Sequence, residues 1–305
     1  MLKLFPREGG EVAISLIRAE PLIISLLTVF SISVVANLIA SPLNFPYETE
    51  NRLVVAVTIP PQAEFVERIG GKYVQVIIMV PPGASPHTYE PTPLQLVQVS
   101  KAKIYFEVGS GVDFELSFIP KILEVNPNLI IVNCSEGIRI IDRDPHVWLC
   151  PKNAKIMVRN ICKALIEADP ERKEFYVRNM HNYIKELDDL DVKIRKILNN
   201  LAERSFLVYH PAWRYFAEEY NLTQIPVEKV GKAPTAKGII ALIKQAMSLQ
   251  KKIIFVSPQF DWKKAEAIAE SIHGKIVFID PLARNYVENL LSVALKLAGG
   301  NQKDG

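Results

Sequence analysis

From Leu53 the chain alternates between short, almost wholly apolar runs and longer segments with one polar face. The runs LVVAVTI (53–59), VQVIIMV (74–80), KIYFEV (103–108) and NLIIVN (128–133) are rich in β-branched residues. That composition predicts strands covered on both sides, as in a parallel sheet. Between them come a polar-faced segment opening at Pro61, a helix capped by Thr92 with Pro93 in its first turn, and a helical pattern over 113–124. Another helix is expected over 151–168. After Pro170 no glycine or proline occurs up to Ser205, and Tyr183, Leu187, Leu190, Ile194, Ile197, Leu198 and Leu201 recur at helical spacing among charges. This predicts one helix of about 30 residues, roughly 45 Å long, more than a single α/β layer needs and suited to a strut.

The β-α rhythm then resumes. Strands are expected at SFLVYH (205–210), near 223–227, at KIIFVS (252–257) and at KIVFID (275–280), with helices from Pro211, Thr235 and Asp261 and a last one ending about Ala298. The fold class that follows is α/β: two lobes, each a four-stranded parallel sheet flanked by helices, bridged by one long rigid helix, with a cleft between them. The organisation reads as an N-terminal segment and linker (1–52), a first lobe (53–169), the bridging helix (170–204), a second lobe (205–298) and a tail (299–305).

The N-terminal segment differs in kind. Leu22 to Ala40 are 19 positions without a charge. That is longer than the ~7–15 residues of a signal-peptide core and close to the ~20 that span a bilayer. A polar linker with two prolines follows, so residues 22–40 are expected to export or tether an extracytoplasmic functional part at a membrane. In the 305 residues the formal net charge is only +3 and no dense basic cluster occurs, which argues against a nucleic-acid partner. Cys134, Cys150 and Cys162 form no CxxC pair and read as small buried apolar residues.

The candidate chemistry lies in the histidines. Of five, three adjoin a proline: His87 after Pro86, His146 after Pro145, and His210 before Pro211. In open parallel α/β sheets ligands bind outside the carboxyl ends of the strands. His87 follows the second expected strand, His146 the fourth, His210 ends the first strand of the second lobe, and Asp280 ends its last, also against a proline. His181 lies mid-strut and His273 precedes Gly274 at a helix end, so neither belongs with them. Three imidazoles and a carboxylate are donors for a divalent first-row ion, zinc above manganese or iron. Proline beside each donor stiffens its loop and lowers the entropy lost on capture. Trp148, Trp213, Tyr89 and Phe278 are candidates for an apolar shell, and Tyr89, Trp148 and Glu90 for the layer supporting the ligands. Two alternatives use the same residues differently: a zinc hydrolase with three histidine ligands and Glu90 as general base, and a binder of a cofactor or siderophore on a similar scaffold.

The segments PPGASPHTYEPTP, DPHVWLCPKNA, HPAWRYFAEEYNL and IDPLA together resemble the metal-binding motifs of the zinc/manganese solute-binding proteins of ABC importers, in order and over about 53–298. The resemblance implies two α/β lobes around a metal cleft, ligands at His87, His146, His210 and Asp280, no enzymatic activity, and a monomer delivering the ion to permease subunits. A histidine at 210, where manganese-selective members often carry glutamate, resembles the zinc branch. Ser85 and Ser257 stand where relatives often carry acidic residues, and no histidine-rich loop follows His87. These departures keep manganese and iron as alternatives.

Overall fold

A computed structural model describes residues 52–228 and 236–299, all within one unit that begins at Glu50. The expected membrane segment at 22–40 and the tail beyond 299 lie outside the described residues. Among the described residues, no helix is long and apolar enough to cross a membrane.

The first sheet contains β1 (Leu53–Val57), β2 (Val74–Ile78), β3 (Ile104–Glu107) and β4 (Ile130–Asn133), all parallel in the order β2-β1-β3-β4. The second contains β5 (Ser205–Val208), β6 (Thr223–Pro226), β7 (Ile253–Val256) and β8 (Lys275–Phe278), parallel in the order β6-β5-β7-β8. Each strand is shorter than the apolar run that announced it. Met79 and Val80, for example, lie beyond the end of β2 yet are fully buried, with their N–H groups donating to the carbonyls of Val57 and Thr58. Apolar runs report burial, and here burial continues into the loops that leave the sheet.

The helices of the first lobe are α1 (Pro60–Gly70), α2 (Pro93–Val99), α3 (Asp113–Val125) and α4 (Pro151–Ala168). Thr92 caps α2 as expected: its hydroxyl accepts the Gln95 N–H, and the Gln95 side chain accepts the Thr92 N–H in return. The strut is α5 (Lys173–Leu198), 26 residues preceded by a 3₁₀ turn at Pro170–Arg172. Its buried stripe runs through Tyr176, Tyr183, Leu187, Leu190, Ile194 and Leu198 and packs against α1 and α4. In the second lobe α6 (Arg214–Glu219) starts three residues later than the proline at 211 suggested. The intervening turn carries His210 out of the sheet. Then follow α7 (Ala236–Met247), α8 (Trp262–Ser271) and α9 (Tyr286–Ala298).

Helix α9 leaves the second sheet and packs on α5. Its first residue, Tyr286, is buried against Phe65 of α1, with ring centroids 4.9 Å apart and nearly perpendicular. The Tyr286 hydroxyl donates to the Trp148 carbonyl at 2.6 Å, and its N–H to Glu64 Oε2 at 2.6 Å. One side of the second lobe therefore joins the apolar core of the first around the strut, while its other side buries a separate cluster that includes Leu207, Ile254 and Ala265.

Because Leu187 is fully buried in that stripe, Leu187→Ala should cost about 2–5 kcal/mol through the cavity it leaves. Val192, 65% exposed on the same helix, should tolerate alanine within about 0.5 kcal/mol. Urea denaturation of the two variants checks the contrast.

Candidate metal centre

The carboxyl ends of both sheets face one cleft, and seven of the eight strand-exit loops contribute to it. From the first lobe come His87 after β2, Asp113 after β3, and Asp144 and His146 after β4. From the second come His210 after β5, Glu228 after β6, Gln259 and Phe260 after β7, and, at the inner end, Pro281 and Leu282 after β8. The cleft, about 1270 Å³, is lined by His87, His146, His210, Gln259 and Phe260, among others.

His87, His146 and His210 converge so that one ring nitrogen from each lies within 4.8 Å of the others. Each is oriented by its own carboxylate. His87 Nδ1 meets Asp113 Oδ2 at 2.6 Å, His146 Nδ1 meets Asp144 Oδ1 at 2.7 Å, and His210 Nδ1 meets Glu228 Oε1 at 2.6 Å. An ionised carboxylate only accepts, so each Nδ1 must carry the proton and each Nε2 presents a lone pair. The His146 and His210 side chains are 8% and 5% exposed and His87 28%, so the site is closed on two sides and open on the third. Burial lowers the His210 pKa below the usual histidine value, and the neighbouring imidazoles push the same way, only partly offset by Glu228. Its ring is neutral at neutral pH and available as a donor to a cation.

The Nε2 atoms of His146 and His210 stand 3.4 Å apart. With both Nδ1 protons committed to carboxylates, that contact sets two Nε2 lone pairs side by side, where a single cation can accept both. Two nitrogens each about 2.0–2.1 Å from a tetrahedral zinc lie about 3.3–3.4 Å apart. The donor set and its spacing both fit a divalent ion. Carboxylate–imidazole pairs of this kind fix ring orientation and raise donor basicity.

Around the imidazoles, Phe260 stacks on His210 with centroids 4.3 Å apart. Trp148 lies 5.3 Å from the His146 ring and donates its indole N–H to the Pro281 carbonyl at 2.8 Å, tying the His146 loop to the Asp280 loop. The other apolar candidates sit elsewhere. Tyr89 stacks on Phe114 and donates to Gln95 Oε1. Trp213 is buried beside Phe216. Phe278 is 42% exposed on the edge strand β8, next to Trp262. Glu90 is exposed and does not line the cleft. His210 and Asp280 are not strand residues: each lies two positions past the last ladder residue of its strand, Val208 or Phe278.

Asp280 is not part of the three-histidine group. Its Oδ1 accepts from Gln259 Nε2 at 2.7 Å and from the Leu282 N–H at 2.8 Å, which turns the carboxylate in the loop that Trp148 holds. The supporting residues Asp113, Asp144, Glu228, Gln259 and Phe260 were not singled out from the sequence. Only Asp144 had a local signal, since it stands two residues before His146 and also accepts the His146 N–H at 3.0 Å.

Residues 55–300 match the family model described as zinc-uptake complex component A, periplasmic. The high-affinity zinc uptake system protein ZnuA of Bacillus subtilis is 27% identical over 76% of this chain and 79% of that protein. A manganese ABC transporter substrate-binding lipoprotein, PsaA of Streptococcus anginosus, is also 27% identical, over 76% of this chain and 82% of its own length. A crystal structure of a ZnuA deletion mutant with zinc bound superposes with a TM-score of 0.78 at 38% identity, covering 83% of this chain and all of that one. The chain belongs to the zinc-uptake complex component A family of periplasmic binding proteins.

Proposed function

We propose that this protein captures one divalent ion, zinc first and manganese or iron second, outside the cytoplasmic membrane and passes it to an ABC permease. His87, His146 and His210 are the nitrogen ligands and Asp280 supplies the oxygen. The observation that carries this reading is the set of three imidazoles, each committed through Nδ1 to a carboxylate, with their Nε2 lone pairs turned on one point. Two relatives named for zinc and manganese uptake support the class of cargo. A nitrogen-rich donor set supports zinc over the harder ions. The protein acts as a monomer, and residues 22–40 tether it to the membrane.

The hydrolase alternative fails on geometry as well as on family. Glu90, its general base, is exposed and outside the cleft, and the family carries ions rather than converting substrates. A siderophore carrier would not require the three imidazole–carboxylate pairs.

Metal release proceeds through small adjustments of the strand-exit loops rather than a wide hinge. The strut, the returning helix α9 and the Trp148–Pro281 bond all resist separation of the lobes. Small-angle scattering curves of the apo and zinc-loaded protein should superimpose. A clear fall in radius of gyration on loading would refute this picture.

Competitive titration of the full-length protein in mild detergent should give one tight zinc per chain. Asp144→Asn should weaken zinc by about 10–100-fold, as expected for loss of an orienting carboxylate, and His210→Ala should weaken it further. Absence of stoichiometric metal in the wild type would overturn the reading. Protons and the ion compete for the same Nε2 lone pairs. Burial holds the His210 pKa below its ordinary value, so protons compete little for this ring at neutral pH. Zinc affinity should fall as pH drops through the histidine range, and an affinity unchanged down to about pH 5 would show that the imidazoles are not the ligands.

A further inference from the structure

One buried polar atom in the cleft is left without a partner. Gln259 Oε1 is inaccessible to solvent and, among the described residues, is the buried side-chain oxygen or nitrogen with no hydrogen bond. The orientation of the amide is not arbitrary. Asp280 can only accept when ionised, so Gln259 must turn its nitrogen to Asp280 Oδ1, at 2.7 Å, which leaves the oxygen at the other end. Gln259 borders the small inner cavity shared with His87, His146 and His210. No side chain on that wall donates to the oxygen: each imidazole gives its Nδ1 proton to a carboxylate, and the Trp148 indole N–H donates to the Pro281 carbonyl. Phe260, Pro281 and Leu282, also on the wall, present no polar side chain. The residues of that wall thus bring together three imidazoles and one amide oxygen that no side chain satisfies.

We infer that Gln259 is a positioning residue of the metal site, and that its amide works at both ends. The nitrogen fixes Asp280 Oδ1 and so sets the direction of the second carboxylate oxygen. The amide oxygen accepts a hydrogen bond from a water molecule that enters the cavity with the ion, beside the four protein ligands rather than in place of one. The inference rests on the metal-carrier reading. Gln259 thus favours the loaded state without being a ligand.

The test compares Gln259→Met, which keeps length and removes both polar atoms, with wild type and with Gln259→Glu. All are full-length in mild detergent, with zinc and cobalt(II) as probes. Gln259→Met should bind zinc about tenfold more weakly and show a smaller zinc-induced rise in melting temperature. Its ion-free form should melt close to the wild type, because the lost bond to Asp280 is offset by removal of an unpartnered buried oxygen. The visible ligand-field spectrum of its cobalt form should differ from wild type, reporting an altered coordination sphere. Gln259→Glu, which keeps an oxygen acceptor, should retain more zinc affinity than Gln259→Met. Zinc affinity and cobalt spectrum both unchanged in Gln259→Met would overturn the inference. So would an ion-free melting temperature lowered by several degrees with the cobalt spectrum unchanged, which would mark Gln259 as a purely structural residue. If the wild type itself bound no zinc, the carrier reading would fail, and that result is distinguishable from either outcome.

Discussion

Three neutral imidazoles cannot crowd their lone pairs together unless something holds each ring against the repulsion. In this protein the holding is done by Asp113, Asp144 and Glu228, each at 2.6–2.7 Å from an Nδ1. A carboxylate on one nitrogen fixes the tautomer and makes the other nitrogen a better donor to a cation. It also adds negative charge beside a cavity whose inner surface is already all acceptor. The Nε2 atoms of His146 and His210, 3.4 Å apart, are thereby placed to share one cation. Everything else in the fold serves to bring these six side chains to one place from loops far apart in the chain.

The doubly wound topology does so with little freedom left over. Two parallel sheets point their carboxyl ends at each other, and the second lobe contributes from all four of its strand exits. Sheets alone would leave the lobes free to separate. The strut α5 and the returning helix α9 remove that freedom by sharing a buried core with the first lobe, and Trp148 bonds the His146 loop to Pro281 beside Asp280. A site assembled across two lobes needs this stiffness, because small displacements of a donor cost much of a metal bond.

Much of this was legible in the chain, and the reasons for the rest are physical. Parallel strands covered on both faces leave a strong mark in apolar runs, and proline-flanked histidines at strand exits stand out because both neighbours restrict the backbone. Strand ends were misplaced because buried loop residues such as Met79 and Val80 look like strand. The carboxylate partners were hidden for a different reason. Asp113 lies 26 residues from His87 and Glu228 lies 18 from His210, so only the sheet topology makes them neighbours. Phe278 was assigned to the site wall through its place in the last strand, yet it faces outward on an edge strand. Phe260, one strand-exit loop earlier, does that work. The docking of α9 across the lobes had no local signal at all, since an amphipathic helix reads the same whichever core receives it.

The exposures of the three histidines differ in a way that bears on how a tight site can also be a reversible one. His146 and His210, with their carboxylates, are almost withdrawn from solvent, while His87 is 28% exposed and its partner Asp113 58%. The two buried pairs are held by packing and by the cross-lobe bonds. The third pair rests on a charge-assisted hydrogen bond largely in water, where such an interaction contributes little to holding a fixed geometry. An incoming ion thus meets one donor at the solvent edge and two withdrawn from it. A joined scaffold and an accessible ligand are compatible because they reside in different parts of the molecule: α5, α9 and Trp148 tie the lobes together, and the exposed pair belongs to the loops after β2 and β3.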